Sequence, residues 1–157
     1  MTNQELIHHF YNSFAKGDYQ SMIDCYHSDI QFEDPAFGKL KGNDAKAMWK
    51  MLIIRSKGDI DITHSNVTAN EKTGSANWLA KYTFGQTGRK VTNNVSAQFE
   101  FADGKIIKHS DTFDMWIWSK QALGVVGLLF GRTTFMKNKI QKTTNKLLAD
   151  FKLKQSL

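Results

Sequence analysis

Asp34 closes a strand-like run, Ile30-Gln31-Phe32-Glu33-Asp34, and stands directly before the only proline of the chain. In an extended segment side chains alternate, so Ile30, Phe32 and Asp34 share one face while Gln31 and Glu33 share the other. A carboxylate on an apolar face is costly unless it is paired or protonated, and acids and bases tuned for catalysis are built that way. A second run, from Lys105 to about Ile117, sets Ile107, His109, Asp111 and Phe113 on one face. A His and an Asp on the same side of one strand project together and can exchange protons with a bound small molecule. Asp34, His109 and Asp111 are therefore the candidate catalytic residues. The local alternative is that Asp34 caps the loop before the next helix while His109 and Asp111 bond to their neighbours. Asp114 falls on the opposite face and reads as structural.

Other chemistries find less support. None of the five histidines, His8, His9, His27, His64 and His109, has zinc-ligand spacing, and the single cysteine, Cys25, allows neither a thiolate cluster nor an internal disulfide. No metal is expected. His8 and His9 read as solvent-facing on a helix, whereas His64 alternates with Ile60 and Ile62 and is the other histidine within reach of a pocket. The glycines at 38–42 and 85–88 are turn residues without the strand-to-helix context of a phosphate loop.

Several elements must position these groups. Thr2 and Glu5 form a capping box ahead of a helix carrying Leu6, Phe10 and Phe14, which ends at Gly17. Asp18 caps a short second helix with Met22, Ile23 and Tyr26. The Asp34 strand follows, then a loop from Pro35 to Gly42. Asn43 or Asp44 opens a third helix with an apolar stripe of Ala45, Met48, Met51 and Leu52. Beyond Gly58 the period changes to two. Ile60, Ile62 and His64 alternate in one strand, Trp78, Ala80, Tyr82 and Phe84 in the next, and Val91, Val95, Ala97, Phe99 and Phe101 in a third. Asp103-Gly104 then marks a tight hairpin into the His109 strand. Helices first and antiparallel strands afterwards predict an α+β fold with helices over one face of a curved sheet. From Ser119 onward helical character returns. Ala122 to Phe130 is apolar but broken by Gly124 and Gly127, and Thr133 caps a basic amphipathic helix with Met136, Ile140, Leu147 and Phe151 along one side.

A chain of 157 residues is one domain able to close a core without staples. Its net charge of +6 is unevenly placed. Arg132, Lys137, Lys139, Lys142, Lys146, Lys152 and Lys154 face one acid, Asp150, after position 131, whereas the remainder carries as many acids as bases. A nucleic-acid reading surface is not expected from a neutral body. The basic helix is expected to pack its apolar side over the pocket mouth or on a second subunit, rather than to bind an anionic membrane. The start, Met1 to Glu5, lacks a secretory h-region, and no apolar run approaches the roughly 18 residues of a membrane span. A soluble cytoplasmic protein is the expectation.

The order of elements, the Ala15-Lys16-Gly17-Asp18 turn, the Phe32-Glu33-Asp34-Pro35 strand end and the Gly88-Arg89-Lys90 hairpin resemble ketosteroid isomerase and the nuclear transport factor 2 superfamily. The run Asp103 to Asp114 resembles the SnoaL-like polyketide cyclase and limonene epoxide hydrolase branches. The resemblance covers roughly residues 3 to 117. It implies a cone-like, mostly antiparallel mixed sheet wrapped by the N-terminal helices (a cystatin-like roll) over residues 1–118, with 119–157 as a C-terminal helical extension. It also implies a homodimer and no cofactor.

In ketosteroid isomerase an Asp is the base, and a Tyr with a protonated Asp forms the oxyanion hole. By resemblance Asp34 matches the base, but the oxyanion positions fall on Phe10 and Ala97, which donate no hydrogen bond. Steroid isomerase activity is thus not expected. The epoxide hydrolase Asp and Arg fall on Ala97 and Val95, while Asp111 matches its second Asp and the acid/base Asp of the cyclases. Phe10, Tyr11, Phe14, Trp49 and Trp78 are the expected pocket residues on the helical side and at its centre. Tyr82, Ala97, Phe99 and Phe113 are those along the sheet. The resulting expectation is a cofactor-free enzyme of isomerase, cyclase, dehydratase or hydrolase type, moving a proton within a small apolar carbonyl or ring metabolite. The alternative is a binding or dimeric scaffold protein that kept the pocket without the reaction.

Overall fold

The computed structural model describes residues 1–156. Three helices, α1 (Asn3–Ala15), α2 (Tyr19–Asp24) and α3 (Asn43–Ser56), lie against a six-stranded sheet. The strands are β1 (Tyr26–Asp34), β2 (Gly38–Lys41), β3 (Ile60–Ala69), β4 (Thr73–Thr83), β5 (Lys90–Ala102) and β6 (Lys105–Thr112), in the order β2-β1-β6-β5-β4-β3. Only the β1–β6 pair is parallel. The curved sheet is open, and α4 (Met115–Leu123), α5 (Val125–Phe130) and α6 (Thr134–Gln155) complete the chain.

Local chemistry accounts for most boundaries. The Thr2–Glu5 capping box starts α1, Asp18 caps α2 through the Ser21 amide, and Thr133 caps α6 through the Met136 amide. Asp103 and Gly104 both take positive φ, 54° and 73°, as a tight hairpin between β5 and β6 requires.

Other placements differ from expectation. The Pro35–Gly42 loop contains β2, which folds back on β1 with Asp34 opposite Gly38; four residues are too few to announce a period of two. Helix α3 opens at Asn43, as expected, but with Gly42 at its N-cap and no side-chain cap. Strand β6 ends at Thr112, because the Asp114 carboxylate accepts from the Trp116 and Ile117 amides and starts α4. The boundary drawn between 118 and 119 therefore falls inside a helix. A register shift between Glu100 and Phe101 also turns Ile106, rather than Ile107, into the core beside His109.

The main core gathers Ile7, Phe10, Phe14, Phe32, Met48, Trp49 and Phe99 between helices and sheet. A smaller cluster, Val91, Trp118 and Ala122, seats α4 on the far end of the sheet. Helix α6 is held across the β1–β2 connection by polar bonds as well as apolar ones. Gln141, Thr144 and Asn145 donate to the carbonyls of Pro35, Ala36 and Phe37. That is why Thr144 sits in the middle of the apolar stripe.

The α4–α5 crossing is close enough that a Cβ on Gly127 would lie 1.8 Å from the Ser119 carbonyl oxygen. Gly127→Ala should destabilise the chain by about 1–3 kcal/mol through overpacking. Urea unfolding curves that superimpose on wild type would contradict this contact.

Candidate functional site

The parallel β1–β6 ladder pairs Phe32 with His109 and Glu33 with Ser110, so one step further Asp34 comes level with Asp111. Neighbouring strands lie about 4.8 Å apart, and both carboxyls point to the helix-covered face. Two like charges so close, away from water, disfavour joint ionisation.

Asp111 is buried and well supplied with donors. Its Oδ1 lies 2.9 Å from His109 Nε2 and 3.3 Å from Trp78 Nε1. Behind it runs a buried chain: His109 Nδ1 is 2.7 Å from the Tyr26 hydroxyl, which accepts from Trp49 Nε1 at 2.8 Å. Hydrogen counting assigns the protons. Trp49 and Trp78 can only donate, and the Tyr26 hydroxyl, already accepting from Trp49, donates to His109 Nδ1. His109 is then the neutral Nε2–H tautomer, and Asp111 Oδ1 accepts two N–H bonds, which suits a carboxylate. A doubly protonated His109 would leave the Tyr26 hydrogen without an acceptor.

Trp78 reaches Asp111 from β4 across β5, where Ala97 is paired with both Ala76 and Asp111. The methyl side chain of Ala97 leaves room for that indole. A larger residue there would sever the contact.

Asp34 is held differently. Its Oδ1 accepts from the Ala36 and Phe37 amides at 3.0 and 2.6 Å, which fixes the turn after β1. Its Oδ2 has no hydrogen-bond partner among the described residues. Burial pushes the carboxyl from the ordinary 3.8 up to about 7, with the Asp111 charge adding to the rise and the two amides opposing it. The local alternative and the catalytic one thus describe two oxygens of the same group.

Both carboxyls border a cavity of about 320 Å³ between α3, the sheet, α4 and α6. Phe14, Trp49, Trp78, Tyr82 and Phe113 line it, as do Phe37, Met48, Trp118 and Leu147. Phe10, Tyr11, Ala97 and Phe99 do not: they are packed in the core behind the wall. His109 is likewise fully buried behind Asp111, so it is a positioning residue for that carboxylate. His64 faces α1, with Nε2 2.9 Å from His8 Nδ1 and its ring stacked on Tyr11, away from the cavity. His8, expected to face solvent, is exposed as its neighbour His9 is, and its Nδ1 meets His64 there.

Tyr26, expected on the second helix, opens β1 instead, because α2 ends at Asp24. It has the parity of Ile30, Phe32 and Asp34, but Ser28 and Asp29 between them are exposed and hide the period. Among the described residues no group of three or more His, Cys, Asp or Glu could hold a metal ion.

A family model described as a SnoaL-like domain matches residues 7–109. No curated protein matches the chain in sequence. Solved structures of similar fold include a proposed polyketide cyclase of Xanthomonas campestris pv. campestris, 18% identical over 74% of this chain and 93% of that one, TM-score 0.60. An LEH-like epoxide hydrolase of M. tuberculosis is 21% identical over 80% and 92% of the two chains, TM-score 0.59. An NTF2-like protein of unknown function from Burkholderia pseudomallei K96243 is 15% identical over 73% and 92%, TM-score 0.61.

The raised Asp34 value has a stability consequence with a definite sign. Between 3.8 and about 7 the folded chain keeps a proton that the unfolded chain has lost. This group therefore stabilises the fold fully below 3.8 and progressively less as pH rises to about 7, at a slope of at most about 1.4 kcal/mol per pH unit. Asp34→Asn keeps the amide acceptor and removes the titration, so its stability relative to wild type should rise as pH increases across that window. Urea titrations giving the same offset at both ends would refute the assignment. Tyr26→Phe strands the donor of Trp49 and the acceptor of His109, at a cost of about 2 kcal/mol or more in unfolding free energy. An unchanged urea midpoint would break the proposed chain.

Proposed function

We propose that this chain, which belongs to the SnoaL-like domain family, moves a proton within a small, mainly apolar carbonyl or ring compound held in the cavity. The observation that carries the reading is the Asp34 carboxyl, whose Oδ2 has no hydrogen-bond partner among the described residues, bordering a mainly apolar cavity with its pKa raised to about 7. A general base works best when its pKa lies near the working pH. Asp34 as carboxylate would take a proton from the carbon next to a carbonyl and, as acid, return it elsewhere on the substrate. Asp111, tied on one oxygen by His109 and Trp78, would keep its charge beside Asp34 and hold that pKa up.

The charge that develops on the substrate oxygen needs a donor, which Phe10 and Ala97 lack. Tyr82 meets the requirement. Its hydroxyl accepts from Trp118 Nε1 at 2.7 Å, and its own hydrogen has no acceptor among the described residues. Burial raises its pKa, with the Asp34 charge adding to the rise, so the phenol keeps its proton. An O–H aimed into an apolar cavity near the base is suited to polarise a carbonyl.

A purely binding protein is the second reading, favoured by the apolar side chains at Phe10 and Ala97. Solvent deuterium incorporation into a panel of cyclic ketones and enones, read by mass spectrometry, separates the two. The wild type should exchange at least one compound, Asp34→Asn should slow it about 10²-fold or more, and Tyr82→Phe should slow it while leaving binding nearly intact. Compounds that bind but exchange at the solvent rate, or exchange unaffected by Asp34→Asn, would leave only the binding reading.

A further inference from the structure

The cavity does not account for the most apolar part of the surface. Helix α5 is pinned to α4 through glycine: Gly127 rests on the Ser119 backbone, and a Cβ on Gly131, which ends the helix, would lie 2.8 Å from the Ser119 Cβ. The side of α5 facing the protein therefore has almost no side chains. Its bulky residues point outward, with Val125 71% and Leu129 66% exposed, and Val126, Leu128 and Phe130 half exposed. Phe135, 73% exposed, continues the patch at the start of α6, and Ile117 borders it on α4. Single exposed hydrophobes are ordinary, but contiguous ones mark an interaction surface.

The rim of the patch is basic. Lys120 and Arg132 lie over the ring of Trp116, at 3.7 and 3.8 Å from its centroid, and the indole N–H donates to the Leu128 carbonyl. Lys137 and Lys139 follow Phe135 and are exposed. Residues 115–149 hold six Lys or Arg and no Asp or Glu. None of these six is ion-paired among the described residues.

We propose that the α5 tip, with Phe135 and the cations around Trp116, docks this protein onto an anionic phospholipid surface. Apolar side chains would enter the acyl boundary while ammonium and guanidinium groups meet lipid phosphates, with Trp116 at the level between them. A second copy of this chain fits less well. A two-fold contact sets the same patch against itself, bringing cations onto cations with no acid in the segment to answer them. Among the described residues no helix is long and apolar enough to cross a membrane, so the contact is one of surface docking. The surface shares Lys137 and Lys139 with the basic helix considered from sequence, but its apolar part lies elsewhere: α6 turns Met136 and Leu148 inward, and the outward apolar residues of the patch belong to α5 and to Phe135 at the start of α6. Trp118 places the other side of α4 in the cavity wall, so the docked face and the cavity share one helix.

The test is flotation of the full chain with vesicles of phosphatidylcholine alone or with added phosphatidylglycerol. Binding should require the anionic lipid and weaken with salt. Val125→Glu with Leu129→Glu, both on exposed positions, should cut vesicle binding by about tenfold or more while melting temperature is unchanged. Lys137→Glu with Lys139→Glu should reduce binding to anionic vesicles only. Failure of the wild type to float with anionic vesicles at low salt would overturn the proposal. So would equal binding by the Val125/Leu129 variant, or a wild-type dimer in light scattering that this variant converts to monomer.

Discussion

A buried carboxylate has to be satisfied, and Asp111 organises the structure around that requirement. Its two N–H donors come from different places, His109 on its own strand and Trp78 from β4. His109 in turn is fixed by Tyr26 on β1, and Tyr26 by Trp49 on α3. One chain of hydrogen bonds thus links the helical layer to three strands. Each N–H and O–H in it finds an acceptor, and a buried polar network whose donors are satisfied rigidifies a core instead of weakening it.

That rigidity bears on the cavity. Trp49 and Trp78 are both members of the network and part of the cavity wall, so the groups that hold Asp111 also shape the space beside it. Asp34, held by backbone amides instead of side chains, faces the same space. Burial raises its pKa to about 7, the Asp111 charge adds to the rise, and the two amides on its Oδ1 oppose it. Tyr82 adds a phenol on the cavity wall whose proton has no acceptor among the described residues.

The C-terminal helices serve two sides at once. Helix α6 bonds to the carbonyls at Pro35, Ala36 and Phe37, and so secures the turn that carries the Asp34 amides, while Thr144 and Leu147 complete the wall. Helix α4 contributes Trp118 inward and supports α5 outward. The glycines of α5 make this arrangement possible, since only a helix face without Cβ atoms can approach Ser119 so closely.

Periodicity in the sequence was enough to establish the α+β class, the strands that carry Asp34 and Asp111, and most helix starts. These depend on alternation, capping side chains and turn residues, all of which act within a few positions. Composition likewise located the excess positive charge after position 131, in Arg132 and the last helix. Which residues meet across elements was a tertiary matter. A bulge between Glu100 and Phe101 exchanged Ile107 for Ile106, Tyr26 joined the network through a strand whose exposed middle masks its period, and His109 lay behind Asp111 rather than beside the cavity. Phe10, Tyr11, Ala97 and Phe99 share the inward direction of the lining residues, and direction is all that a period can report. Depth behind the wall depends on how helices and sheet close upon one another, which no local pattern encodes.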